Sequence, residues 1–348
     1  MQLPCGTFST TYEFDKAIIK TRAHWIVLAL AITLAFAFPT FSHPYLIHVV
    51  NFVFISIIAA LGLNILSGCA GQISIGHSAF MAVGGYTSAV ITYTLGASFW
   101  LALPCAIVAA GLVGLIFGLP SLRLKGFYLL LSTLAAQFII VYIVAHLDIT
   151  GGLAGIDVPY AQLGNIVFNT DKSFYYIILV VLILATFCAR NLVRSKVGRA
   201  FIAVRDNDLV AEVMGVSLFR YKLLAFFIGC CYAGAAGSLW AHWHGYVCPE
   251  QFSLMMSVWL LGYIIIGGMG TTVGPFLGTI LVLGLTEGLS TLVTGLGTTY
   301  PHLLDIIAPL KDLIFGIMLA LFLILEPRGL AHRWYMMKSW YSLFPFSY

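Results

Sequence analysis

Charged residues are scarce in this chain of 348 amino acids. Lys, Arg, Asp and Glu make up 9% of it, against about 25% in an ordinary soluble domain. Hydrophobic residues make up 61%, which a soluble fold could not cover with polar surface. Helices in lipid explain both figures, because the bilayer core requires about 20 apolar residues per span and penalises each central charge by about 2.5 to 3.5 kcal/mol. We therefore predict an all-α polytopic membrane protein.

The chain also lacks the short motifs of catalysis and nucleotide binding. It contains no GxxxxGK[ST] phosphate loop, no HExxH and no GxSxG, so we predict no enzymatic activity and no nucleotide site of its own. Its seven cysteines are an odd number without CxxC spacing, which favours buried thiols over metal ligands or disulfides. His242 and His244 point to different helix faces, which favours an interfacial aromatic belt. We expect no cofactor, no metal site and no nucleic-acid partner.

Apolar stretches of spanning length are abundant. Charges, prolines and glycine clusters divide the sequence into ten of them, all within a transmembrane domain over 23–326. Glycine-rich polar segments at 71–77 and 267–275 interrupt some of these stretches, so we expect about ten transmembrane helices, some of them broken. The ten stretches are 23–40, 46–67, 76–96, 99–119, 126–147, 173–190, 223–244, 253–268, 274–296 and 308–326.

Basic residues concentrate on alternate loops. Of the 17 Lys and Arg residues, 15 lie in the N-terminal segment 1–22, the loop after the fourth stretch, the loop 190–222 or the tail 327–348. Loops rich in Lys and Arg stay in the cytoplasm. The pattern predicts that both termini and the loop 190–222 are cytoplasmic and that the loop 148–172 is periplasmic.

The loop 190–222 has its own structural pattern. Its apolar residues recur at roughly helical spacing and are interrupted at 205–208, which predicts two short amphipathic helices. Asp206 or Asn207 can cap the second helix, and Gly215 can end it. A bare connector of this length is uncommon, so we interpret the pair as a docking element for a soluble domain, with an apolar face of Ala200, Ala203 and Val204. The expected coupling residues are Gly198, Arg199, Ala203, Arg205, Asp206, Glu212 and Gly215.

The polar segment at 71–77 is a candidate pathway lining. Non-helical backbone at membrane depth is tolerated only inside protein or beside a water-filled cavity, and a broken helix can attract a carboxylate. Gln72 and His77 could instead satisfy neighbouring helices. Glu287 is the only acid predicted well inside a span and must be protonated or paired, so pathway and structural roles are both open for it. The expected pathway residues are Gln72, Ser74, Gly76, His77 and Glu287, and the expected structural glycines at breaks are Gly71, Gly84, Gly267, Gly268, Gly270 and Gly274.

Several short motifs occur between about residue 58 and residue 290. They are Asn64-Ile-Leu-Ser-Gly68, Gly71-Gln-Ile-Ser-Ile-Gly-His77, Thr150-Gly-Gly-Leu-Ala-Gly-Ile156, Ala203-Val-Arg-Asp-Asn-Asp208, Ala211-Glu-Val-Met-Gly215 and Ile266-Gly-Gly-Met-Gly-Thr-Thr-Val-Gly-Pro275. In this order along the chain, they resemble the motifs of one known family, the branched-chain amino acid ABC permeases of the Liv type. They resemble its M subunit more than its shorter H subunit.

The resemblance implies a multi-pass permease of the bacterial inner membrane that moves branched-chain or related small apolar amino acids by alternating access. It implies three kinds of partner besides membrane lipid: a related H-like permease, two cytoplasmic ATP-binding subunits and a periplasmic substrate-binding protein. It also implies that 195–222 is the coupling loop and that Thr150, Gly151 and Gly152 belong to a periplasmic motif.

Two other interpretations of the sequence stay open. Permeases of the same fold carry urea, short amides or aromatic acids, and a secondary transporter could be driven by protonation of Glu287 and His77. The scarcity of intramembrane carboxylates and the docking loop argue against the secondary transporter. Uptake that depends on ATP and a binding protein, rather than on a proton gradient, separates the two classes.

Overall fold

The computed structural model describes residues 22–121, 126–163, 166–297 and 307–343. The predicted N-terminal segment, apart from Arg22, and the last five residues of the predicted tail lie outside this part of the chain. The described part is predominantly helical, which confirms the predicted all-α class. Its helices are α1 (Arg22–Phe41), α2 (Pro44–Leu63), α3 (His77–Tyr93), α4 (Phe99–Ser121), α5 (Phe127–His146), α6 (Asp171–Arg194), α7 (Lys196–Asp206), α8 (Asp208–Val213), α9 (Leu218–His244), α10 (Leu254–Gly267), α11 (Gly274–Gly297), α12 (Ile307–Leu325) and α13 (Leu330–Leu343).

The described residues contain fewer helices of full spanning length than the ten predicted spans. Each predicted apolar stretch overlaps a helix, but α3 has 17 residues and α10 has 14, short of a full crossing. A seventh span results if α12 and α13, bent by 48° at their junction, count as one. Six helical segments of the described chain are long and apolar enough to cross alone: Pro44–Cys69, Phe99–Pro120, Phe127–His146, Asp171–Arg194, Leu218–His244 and Gly274–Thr294.

Small residues bring the central helices together. A Cβ added to Gly84 of α3 would collide with the backbone of Gly234 in α9, and one added to Gly237 would collide with the carbonyl of Met81. Membrane helices approach closely through such contacts, since lipid provides no hydrophobic drive for their association. Gly84 therefore lies in a helix-packing contact within a continuous helix, and our assignment of it to a break is wrong.

The loop between α5 and α6 contains short strands. β1 (Ile156–Asp157) pairs antiparallel with β4 (Tyr246–Val247), and β2 (Ala161–Leu163) pairs with β3 (Ile166–Phe168). The Thr150 hydroxyl donates to the Leu147 carbonyl at 2.7 Å. Gly151 and Gly152 follow with φ of +68° and +59°, a region that favours glycine. The Thr-Gly-Gly motif thus turns the chain from α5 toward β1.

Candidate functional site

The first glycine-rich segment interrupts the helical path between α2 and α3. Helix α2 widens into a π-helical turn over Asn64–Cys69, and the chain is then non-helical until α3 begins at His77. Gly71 has a φ of +70°. The Ser67 hydroxyl donates to the Gln72 carbonyl at 3.0 Å. This local bond satisfies a backbone group that a continuous helix would have paired.

The second glycine-rich segment separates α10 from α11. Gly268 and Gly270 have φ of +110° and +79°. The Thr271 hydroxyl donates to the Gly268 carbonyl at 2.8 Å and accepts from the Gly274 amide at 3.0 Å. An added Cβ on Gly267 would collide with the Gly274 carbonyl. The break is therefore a tight reversal that depends on the absence of side chains.

Asn64 joins the two breaks. Its side-chain nitrogen donates to the Thr271 carbonyl at 2.8 Å, and its side-chain oxygen accepts from the Gly270 amide at 2.8 Å. The residue is buried, so both bonds lie away from water and are costly to break. We call the resulting unit, made of Asn64, Gly68, Gly71, Gly270 and Thr271, the glycine junction.

Helices α7 and α8 form a compact pair in the predicted coupling loop. The Asn207 side-chain oxygen accepts from the Val210 amide at 3.2 Å and caps α8, as the sequence predicted. Gly215 has a φ of +83° after α8 ends. Gly198 lies so close to the carbonyls of Leu192 and Val193 that a Cβ would collide with them. We call α7 and α8 the short-helix pair.

Arg205 connects the short-helix pair to the glycine junction. One guanidinium nitrogen, Nη1, donates to the Gly68 carbonyl at 3.0 Å. A Cβ added to Gly71 or Gly270 would lie 2.8 Å from an Arg205 side-chain atom, closer than ordinary van der Waals contact. Nε and Nη2 hold Asp206 at 3.0 and 2.9 Å, which fixes the plane of the guanidinium. The arginine thus contacts both breaks at once.

Part of the outward surface of the short-helix pair is apolar. Ala200 and Val204 are buried, so the face on which we placed them is turned into the protein. The exposed apolar residues follow instead on α8 and just after it. We name this surface the α8 patch, and it consists of Leu209 (66% exposed), Val210 (56%), Val213 (87%) and Met214 (77%).

A cavity of about 340 Å³ lies beside the glycine junction. Gly71, Gln72, Arg205 and Lys222 are among the residues that line it. Gln72 is buried, and neither its side-chain oxygen nor its nitrogen has a hydrogen-bond partner among the described residues. A buried amide is normally satisfied, so Gln72 is available to a molecule that enters this junction cavity.

The start of α3 is satisfied from within the protein. The Ser78 amide donates to the Ser257 hydroxyl at 2.9 Å, and the Ala79 amide donates to the Gln137 side-chain oxygen at 3.0 Å. The Gln137 side-chain nitrogen donates to the Phe252 carbonyl at 2.8 Å. A broken helix was expected to attract a carboxylate through free backbone amides. The Ser78 and Ala79 amides already have acceptors within the protein, so they are not free to bind one.

Three of the expected pathway residues lie in the packed interior. Ser74 and His77 are fully buried, and His77 Nε2 lies 3.1 Å from the Ala59 carbonyl oxygen. A Cβ on Gly76 would collide with the Thr133 carbonyl. None of the three lines the junction cavity or the cavity that contains Glu287.

Glu287 lines a second cavity, of about 310 Å³. The Lys311 ammonium donates to Glu287 Oε1 at 3.2 Å, and the Tyr45 hydroxyl donates to Glu287 Oε2 at 3.1 Å. Both charged side chains are about a quarter exposed. The expected pairing of this intramembrane acid is therefore present, with Lys311 as the counter-ion. We call this space the Glu287 cavity.

A family model described as "Branched-chain amino acid transport system / permease component" matches residues 45–323. The chain belongs to this family. The match confirms the resemblance found in the motifs, and it covers the glycine junction, the short-helix pair and both cavities. The permease is accordingly a multi-pass membrane protein of a transporter family, which is not a family of enzymes.

Three relatives illustrate the range of the family. The LivM permease of the high-affinity branched-chain amino acid transport system of Escherichia coli (strain K12) is 31% identical over 77% of this chain and 68% of its own. The LivH permease of the same organism is 24% identical over 79% of this chain and 90% of its own. A probable LivM of Methanocaldococcus jannaschii is 24% identical over 66% and 67%. No solved structure matched the permease significantly.

Two site residues escaped prediction from the sequence. Asn64 occurred in a motif but received no role, because its partners are backbone groups about 200 positions away. Lys311 lies within the last predicted apolar stretch and likewise received no role. A signal for it existed, since Glu287 and Lys311 both lie within predicted apolar stretches and each requires an opposite charge.

Proposed function

We propose that this chain is a membrane-spanning permease subunit of an ABC importer and that it moves branched-chain or related small apolar amino acids by alternating access. The observation that carries the proposal is the bond from Arg205 to the Gly68 carbonyl. It gives a surface helix pair direct mechanical contact with the two helix breaks. A permease driven by a separate ATPase requires such a link, because the chain has no phosphate loop with which to hydrolyse ATP.

The partners in this proposal are a related H-like permease, two cytoplasmic ATP-binding subunits and a periplasmic substrate-binding protein. The α8 patch supports the contact with an ATP-binding subunit, because exposed apolar residues beside the exposed Glu212 suit a protein interface. The Liv-type relatives support the pairing with a second permease and the choice of substrate. Urea, short amides and aromatic acids are the alternative substrates.

The pathway in this proposal runs between the Glu287 cavity and the junction cavity. Gln72 and Glu287 are its lining residues. Behind it, His77 packs against α2 and Gly76 against α5, and the Ser74 amide donates to the Ser67 hydroxyl at 3.4 Å. Gly71, Gly267, Gly268, Gly270 and Gly274 supply the turns of the two breaks.

Uptake by the reconstituted importer tests the proposed function. In proteoliposomes that contain the permease pair, the ATP-binding subunits and the binding protein, we expect L-leucine uptake that requires ATP inside and the binding protein outside. Dissipating the proton gradient should leave the rate unchanged. Uptake that follows the proton gradient without ATP would instead support a secondary transporter.

Membrane topology tests the proposed orientation. The short-helix pair is proposed to be cytoplasmic and the loop 148–172 periplasmic, with both termini in the cytoplasm. Leu153 and Val213 are 74% and 87% exposed, so Leu153→Cys and Val213→Cys can report on the two sides. In a background without native cysteines, and with the ATP-binding subunits not expressed, we expect a membrane-impermeant maleimide to label residue 153 from outside cells and residue 213 only in inverted vesicles. Labelling of both from one side would contradict the proposed orientation.

A further inference from the structure

The Glu287 cavity holds two opposite charges in a largely apolar space. Glu287 and Lys311 are 3.2 Å apart, longer than the 2.7 to 2.9 Å typical of a charge-assisted bond. Lys311 has three N–H donors, of which the described contacts use one. Glu287 has about four lone-pair positions, of which Lys311 and Tyr45 occupy two. Both side chains can therefore bind another polar group.

Apolar side chains form most of the surrounding wall. Three of them come from α2, α9 and α11, one from each helix, and the other three come from the first two turns of α10. The volume of about 310 Å³ is at the lower end of the range for small-molecule sites, which is about 300 to 1,000 Å³. These wall residues are Phe52, Trp240, Met255, Met256, Trp259 and Leu283.

We propose that the Glu287 cavity is a binding site for an α-amino acid zwitterion, with Lys311 bound to its carboxylate and Glu287 to its ammonium group. The inference rests on the proposed function. It assigns to Glu287 and Lys311 the recognition of amino acids over substrates without both charges. The aliphatic side chain of the substrate lies against the aromatic and methionine wall.

Charge balance favours a zwitterion over a simple acid or amine. The cavity is neutral when Glu287 and Lys311 are paired, and it stays neutral when a zwitterion inserts between them. A lone carboxylate or a lone amine would leave one uncompensated charge in a site of low dielectric, which is expensive. Urea and short amides carry no charge with which to separate the pair.

Helices α10 and α11 connect this site to the glycine junction. Trp259 and Tyr263 of α10 line the cavity, and α10 ends at the second break, at Gly267. Its 14 residues span about 20 Å at 1.5 Å per residue. Glu287 lies on α11, which begins at the same break. Movement at the glycine junction can therefore shift α10 and α11, which both line the Glu287 cavity.

Direct binding and uptake test the proposal. The purified complex without its binding protein should bind radiolabelled L-leucine, and excess L-leucine should displace the label, whereas 4-methylpentanoate and 3-methylbutylamine should not. Lys311→Met and the isosteric Glu287→Gln should each lower leucine binding and ATP-dependent uptake by roughly 30-fold or more. Both variants should still co-purify with the other subunits.

A reversed ion pair separates recognition from a structural role. The double variant Glu287→Lys/Lys311→Glu keeps a pair but exchanges its charges, so a purely structural pair would restore uptake whereas the zwitterion site would not. Asp312→Asn is the matched control, because Asp312 is adjacent, exposed and outside the cavity. Recovery of uptake in the double variant, or near-normal uptake in both single variants, would overturn the zwitterion site alone. Absence of ATP-dependent leucine uptake in the wild-type complex would overturn the proposed function as well.

Discussion

Replacing Arg205 by alanine is expected to uncouple ATP hydrolysis from transport. The variant loses the bond to the Gly68 carbonyl and the contact with Gly71 and Gly270. A hydrogen bond from a charged group contributes about 1.5 to 3 kcal/mol, which corresponds to a change of about 10- to 150-fold in a conformational equilibrium. We expect substrate-stimulated ATP hydrolysis and leucine uptake to fall by at least about 10-fold, while the subunits still co-purify.

Two further variants isolate the role of the guanidinium. Lys196→Ala removes a positive charge from an exposed position at the start of the same helix and should leave both activities near normal. Arg205→Lys keeps the charge but cannot bond Gly68 and Asp206 together in one plane, so it should recover only part of the activity. Normal coupling in Arg205→Ala would show that the bond to the glycine junction does not transmit motion.

Introducing a charge into the α8 patch is expected to prevent assembly with the ATP-binding subunit. Val213 is 87% exposed, the largest exposed fraction among the four apolar residues of the patch. A residue at the centre of an interface commonly contributes about 2 kcal/mol or more, or about 30-fold in affinity, and a buried unpaired carboxylate adds a desolvation cost. We expect Val213→Asp to abolish co-purification of the ATP-binding subunits and, with it, all uptake.

Leu153→Asp is the matched control for this prediction. Leu153 is 74% exposed and lies in the loop 148–172, which is proposed to face the opposite side of the membrane. The control should leave co-purification of the ATP-binding subunits unchanged. If Val213→Asp retains a full complement of these subunits, the docking surface is elsewhere on the permease.

The two expected results differ because they concern different steps of energy transfer. In the proposed function, the α8 patch contacts the ATP-binding subunit, and Arg205 transmits its movement to the glycine junction. Loss of the first removes the ATP-binding subunit from the complex. Loss of the Arg205 contact should leave the complex assembled but lower its substrate-stimulated ATP hydrolysis. Measuring assembly and ATP hydrolysis together therefore distinguishes the two positions.

Local sequence signals predicted the helices well but not the number that cross the membrane. Hydrophobic length identifies an apolar helix, yet α3 and α10 are interrupted at glycine-rich segments and have only 17 and 14 residues. Whether such a helix crosses depends on what covers its ends. In α3 the cover comes from Gln137 and Ser257, which are distant in sequence.

The glycines show the same limit. Gly71, Gly268 and Gly270 adopt positive φ, which glycine-rich polar segments favour. Gly84 gives the same sequence signal but lies inside a continuous helix against Gly234. A glycine needed for a turn and a glycine needed for close packing are identical in sequence, and only the neighbouring element distinguishes them.

The sequence by itself determined the membrane class, the family and the existence of the short-helix pair with its cap and its terminal glycine, because these depend on composition, motif order and contacts within a few residues. Only the tertiary structure decided that Asn64 bridges the two breaks, that Arg205 points inward to Gly68, and that Lys311 pairs with Glu287. Each of these contacts joins residues between 24 and 207 positions apart. Periodicity reveals which face of a helix is apolar, but it carries no information about which polar groups the packed helices place opposite one another.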